Sequence, residues 1–203
     1  MLGFSIMQSP VYLKSMGRSK IMKTEIDVLS DSETEICDYA ESQNGTMDFV
    51  TEKLSAEGIF EQYRVIHRSY LELYLRIDDE AVKLEILKRL IFLNWYAQVE
   101  PSCYTGIEDL DNTIVFKSYS ILDQYLTDRK IDAELKWMLY FYSSWDYTIL
   151  PFSENKLEAL TAFVKGVDTS ISSYPKNKLP KGIMNNRGQM GIYWISMAVE
   201  IKN

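Results

Sequence analysis

Leu90-Ile91-Phe92-Leu93-Asn94-Trp95-Tyr96-Ala97-Gln98-Val99-Glu100-Pro101 is the stretch that decides the fold, and it runs directly into Ser102-Cys103-Tyr104-Thr105-Gly106-Ile107-Glu108-Asp109-Leu110-Asp111. From Leu90 to Ala97 the single polar side chain is that of Asn94, so a helix here is apolar on nearly every side and must be surrounded by other elements. Asp78-Asp79-Glu80 upstream places acids where they cap the first amides and complement the helix dipole. The helix is therefore expected over about Asp79 to Val99, with Glu85 and Arg89 on a surface-facing first half and a buried second half. A second segment, Ala133 to about Ile149, carries Leu135, Trp137, Met138, Leu139, Tyr140, Phe141, Tyr142, Trp145 and Tyr147 and reads the same way.

Two helices buried on several sides require one-sided helices around them. Ile59, Phe60, Tyr63, Ile66, Tyr70, Leu73, Tyr74 and Ile77 form such an amphipathic stripe. Thr46 is placed to cap a helix that ends at Gly58, and Asp111-Asn112-Thr113 opens one that closes on Arg129-Lys130. Ser30-Asp31-Ser32-Glu33 and Ser32-Glu33-Thr34-Glu35 both match a capping box, which predicts a short helix from there to about Ser42. Pro151 is expected to end the aromatic helix, with Ser153 and Glu154 capping another through Leu157, Leu160, Phe163 and Val164. The pattern predicts an all-α fold: a single-domain multi-helix bundle of about seven to eight helices with two buried central members.

Residues 1–23 have neither helical nor strand period and read as an irregular basic leader, with the helical domain over 24–203 and a long basic loop at 174–191. The change of composition at Lys23-Thr24-Glu25 makes Met22 an alternative start to Met1. Apolar sequence resumes over 190–201, where a closing helix is expected, although its β-branched residues also suit a strand.

Charge is unevenly spread over the 203 residues. Lys14, Arg18, Lys20 and Lys23 give the leader +4, and residues 165–203 also sum to +4. Removing both from the total of −7 leaves −15 for residues 24–164. Such a body argues against nucleic acid and anionic membrane as partners and favours basic proteins or cations. Lys176, Lys178, Lys181 and Arg187 read first as a solvated loop, with contact to an anionic partner or folding back on the acidic body as the alternatives.

Several chemistries lack their residues. A single histidine, His67, excludes a multi-histidine metal centre, and its neighbours Arg64 and Arg68 suggest a surface or boundary position. Cys37 and Cys103 form no C-x-x-C pair, and no Walker A, G-x-G-x-x-G or G-x-S-x-G pattern occurs, so no cofactor is expected. Ser173-Tyr174-Pro175-Lys176 matches S-x-x-K only in a proline-containing loop. No run of apolar residues reaches membrane-spanning length, and the start lacks the form of a signal peptide, so a cytoplasmic location is expected.

Carboxylates and amides remain. Asn94 and Gln98 stand at i, i+4, Glu100 follows at the helix end, and Tyr104, Asp109 and Asp111 lie in the loop beyond. These six are the candidate ligand-binding residues, with Asp109 and Asp111 weak candidates for a hard cation. Asp146, between Trp145 and Tyr147, is a lesser candidate for an acid of raised pKa. The composition favours a non-enzymatic protein that binds a basic macromolecule, in the manner of an adaptor or of an immunity-like neutraliser. The alternatives are an enzyme using the 94–111 carboxylates on a small molecule or divalent metal, and a structural homo-oligomer.

Overall fold

In a computed structural model the chain is described over residues 16–168 and 182–199, with side chains described over 25–168 and 182–197. The fold is all-α, and no strand occurs among the described residues. The helices are α1 (Met16–Glu41), α2 (Met47–Ala56), α3 (Ile59–Arg76), α4 (Glu80–Val99), α5 (Ser102–Thr105), α6 (Asn112–Thr127), α7 (Ala133–Tyr142), α8 (Leu150–Ser153), α9 (Glu158–Lys165) and α10 (Gly188–Val199). Among them none is long and apolar enough to cross a membrane.

The expected centre holds. Helix α4 touches α3, α6, α10 and the 3-10 segment Ser143–Thr148, and every residue from Ile86 to Trp95 is buried. Asp79 caps it, accepting from the amides of Ala81 and Val82 at 2.9 and 3.1 Å. Thr46, Asp111 and Asp132 cap α2, α6 and α7 in the same way. The ring of Trp95 stacks on Tyr142 at 4.8 Å between centroids and meets Trp145 edge-on at 5.5 Å, so much of the aromatic surplus fills this core.

Five expectations need correction. The first helix begins at Met16, inside the stretch read as irregular leader, and it runs unbroken to Glu41. The hydroxyls of Ser30, Ser32 and Thr34 do not cap; each donates to the carbonyl four residues earlier, a bond available anywhere within a helix. The first half of α4 is not surface: Arg89 and Lys88 are buried with Ile86 and Leu87. The second central helix breaks after Tyr142 into the 3-10 segment, where Trp145 leaves helical geometry (φ −117°, ψ 62°) and Asp146 is exposed.

Further along, Ser153 closes the four-residue α8 rather than opening α9, which starts at Glu158. The cap of α9 comes from α6, because Asp123 accepts the Leu160 amide at 2.8 Å. Residues 190–199 are helical, which resolves the helix-or-strand alternative. Lys176, Lys178, Lys181 and the S-x-x-K sequence lie outside the described residues.

Candidate binding surface and the charge network beneath it

The six residues read from the 94–111 junction do not converge. Asn94 turns inward: its carbonyl oxygen accepts from His67 Nε2 at 2.9 Å and its amide donates to Ser118 Oγ at 2.7 Å. Gln98, one turn on, is exposed, as are Tyr104 on α5 and Asp109 in the loop, and Glu100 is half-buried. Asp111 accepts the Thr113 amide at 2.8 Å, and that backbone bond holds its carboxyl below the ordinary value. No group of three or more His, Cys, Asp or Glu among the described residues is placed to hold a metal ion.

His67 is fully buried, which corrects its surface assignment. Tyr63, His67 and Tyr70 share one face of α3 at i, i+4 and i+7, a period that outweighs the charged neighbours in sequence. Burial pulls the imidazole pKa down to about 4 against the opposing bond to Asn94, so the ring is neutral at pH 7. Asn94 presents an acceptor, so Nε2 carries the proton. The Cys37 thiol is also buried and pushed up to about 12, by burial first and then by Glu41. It is therefore not a thiolate near neutral pH.

A charge network that the linear pattern did not reveal lies under α1. Glu33 is buried on α1 and accepts from the hydroxyls of Tyr70 and Tyr63 and from the Gln189 amide at 2.9 Å. Its carboxylate thus caps α10 from another helix. Burial raises its pKa, opposed by Tyr70, the Arg89 charge, the Gln189 amide and Tyr63. Arg89 donates to Ser30 and to Tyr70 and pairs with Glu85 at 3.0 Å. Glu85 also meets Arg187, which reaches Glu134 at 2.6 Å, and Glu134 in turn meets Lys88 at 3.2 Å. Lys88 completes the chain on Asp132 at 2.5 Å.

This network ties α1, α3, α4, α7 and the start of α10 together; Lys88, Arg89 and Arg187 each pair with a carboxylate, while Glu33 is held by two hydroxyls and an amide. A readable signal existed: Ile26, Ser30, Glu33, Cys37 and Ala40 recur at four and three along α1, so Glu33 occupies the buried face. Arg187 does fold back on the acidic body, as one reading of the basic loop expected.

On the outer side of α1 the pattern reverses. Asp27, Asp31, Glu35, Asp38 and Glu41 are all exposed, and none is paired with a cation among the described residues. Beside this row a groove separates α1 from α3. One depression of about 570 Å³ lies between Val28 and Leu29 of α1 and Leu73 and Glu72 of α3. Another of about 420 Å³ lies between Ile36 and Tyr39 of α1 and Ile59, Val65 and Ile66 of α3. Val28 and Val65 keep 56% and 47% of their surface exposed, so the groove presents apolar side chains to solvent.

The groove walls are fixed to each other. Arg76 of α3 pairs with Glu25 of α1 at one end, and Glu33 binds Tyr63 and Tyr70 beneath. At the other end Tyr39 ties α1 to the close of α2, donating to Glu57 at 2.6 Å. Comparison with family models, curated proteins and solved structures finds no match to this chain.

Proposed function

We propose that this protein works by binding a basic protein partner on the face formed by α1 and α3, neutralising or escorting it. The observation that carries this reading is the row of five exposed carboxylates on α1, unpaired among the described residues, running beside an apolar groove. Unpaired exposed carboxylates add little to folding stability, but together they build a negative potential that steers a cationic protein and raises its association rate. The apolar groove supplies what charge alone does not, namely surface whose burial contributes roughly 25 cal/mol per Å² to a complex. The hydrogen bonds from Tyr63 and Tyr70 to Glu33 and the Arg76–Glu25 pair join α1 to α3, so little ordering cost is expected on binding.

The test is capture of binding proteins by the wild type and by a variant with Asp27, Asp31, Glu35, Asp38 and Glu41 changed to their amides. A basic protein held by the wild type, released by added salt and lost with the variant supports the reading. Identical capture by both, or recovery of the chain with itself alone, overturns it.

A further inference from the structure

We infer that the α1–α3 groove receives a basic amphipathic α-helix of the partner, lying along α1 with its apolar stripe over Val28 and Val65 and its cations over the α1 carboxylates. This rests on the reading that the acidic face binds a basic protein, and it adds the form and orientation of what binds.

Shape comes first. The two depressions follow one another from Glu25 to Tyr39 on α1, a length of about 21 Å at 1.5 Å per residue, or roughly four helical turns. A groove between two packed helices accepts the side-chain ridge of a third. Other peptide modes fit less well. Strand addition needs a free sheet edge, and no strand exists among the described residues. Polyproline recognition needs a groove lined with aromatic rings, whereas among the described residues the one ring lining these depressions, Tyr39, is already bonded to Glu57.

Charge sets the orientation. Asp27, Asp31, Glu35 and Asp38 recur at four, four and three, which forms a row along α1. The α3 rim is mixed: Glu61 pairs with Arg64, Arg76 pairs with Glu25 of α1, and the exposed Arg68 and Glu72 stand in no ion pair among the described residues. A helix with lysines or arginines at i, i+4 and i+7 on one flank keeps its cations opposite the α1 row over the whole length. A second copy docking through this same face would instead bring another acidic row against it.

The probes are two fluorescein-labelled peptides of about 18 residues and identical composition. In one, leucines recur at three to four with lysines on a single flank; in the other the same residues are shuffled so that no face forms. Fluorescence anisotropy at low salt should show the patterned peptide binding about tenfold or more tightly than the shuffled one. Val28→Asp combined with Val65→Asp should lose that preference. Both positions are exposed, so circular dichroism should remain that of the wild type, and the added negative charges would strengthen any purely electrostatic binding.

Equal affinity for the two peptides overturns the helix inference and leaves the acidic-face reading standing. Binding of neither peptide overturns both. Sedimentation showing a dimer of the wild type that the double variant abolishes assigns the groove to a second copy and also overturns the inference.

Discussion

The guanidinium of Arg187 holds the carboxylate of Glu85 with two hydrogen bonds of 2.8 and 2.5 Å across 102 positions of sequence. Burial pushes the Glu85 carboxyl up, yet the hydrogen bonds and charge of Arg187, with the charge of Arg89, outweigh it and hold the carboxyl below its ordinary value. A planar fork matched to a carboxylate gives direction as well as charge, so the pair fixes where the chain enters α10.

Arg187→Met should therefore cost on the order of 3 kcal/mol, because it leaves Glu85 and Glu134 partly unpaired in a mostly buried setting. Urea unfolding measures the loss. A double-mutant cycle with Glu85→Gln should give a coupling well above the few tenths of a kcal/mol expected of independent sites. Additive effects would mean that the pair does not anchor α10. Faster amide exchange in α10 than in α4 should accompany the single substitution.

The bundle was legible wherever a face was uniform. The apolar run from Leu90 to Ala97 and the stripe of α3 each keep one type of residue on a face, the caps at Thr46, Asp79 and Asp111 mark helix starts, and each predicted its element. Polar residues on buried faces were misread. Glu33, His67, Lys88 and Arg89 are hydrophilic by type but sit at core positions, because partners outside their own helices satisfy them: Tyr70 for Glu33, Asn94 for His67, Asp132 for Lys88, and Ser30 and Tyr70 for Arg89. Those partners lie far away in sequence, and a linear pattern holds no record of them. The same limit affected the candidate site, where Asn94 and Gln98 share a spacing but not an environment.

Gly188 is held at φ +56° with the Glu33 carboxylate against it, so that a Cβ there would lie 2.5 Å from Oε2. Gly188→Ala should cost about 3 kcal/mol or more, since the strain of a left-handed residue adds to displacement of a buried, hydrogen-bonded charge. Gly58 provides the comparison: its φ is +73° but nothing lies within 4 Å of the added atom. Gly58→Ala should thus cost only the backbone strain, about 1 to 2 kcal/mol. Equal losses by chemical denaturation would show that contact with Glu33 contributes nothing.

His67 makes stability depend on pH in a calculable direction. Its folded value of about 4 lies below the ordinary 6.5, so protons bind the unfolded chain first as pH falls. The contribution is complete above pH 6.5 and declines toward pH 4, by a total of about 3 kcal/mol. Glu33 has the opposite tendency, because its raised value favours the protonated folded form and loses that advantage as pH rises through it. Comparing the wild type with His67→Gln, which can still donate to Asn94, cancels the Glu33 contribution. The difference in unfolding free energy between the two proteins should narrow in favour of the variant between pH 6.5 and 4. A constant difference over that range would contradict a neutral buried imidazole.

Asp111 separates a capping role from a ligand role. Its carboxylate accepts the Thr113 amide as the N-cap of α6, and an asparagine oxygen can accept the same bond. Asp111→Asn should leave the unfolding midpoint nearly unchanged, whereas Asp111→Ala should lower it. The lowered carboxyl pKa adds a second signature: the stabilisation it gives is present above the ordinary value of 3.8 and lost as pH falls through the folded one, and Asp111→Asn removes this acid-limb dependence. If the asparagine variant instead weakens binding of a basic partner or a divalent cation while stability stays constant, the residue belongs to a recognition surface beyond α1 and α3. Tight retention of both by the asparagine variant, with loss of stability confined to the alanine variant, identifies Asp111 as part of the scaffold that fixes the start of α6.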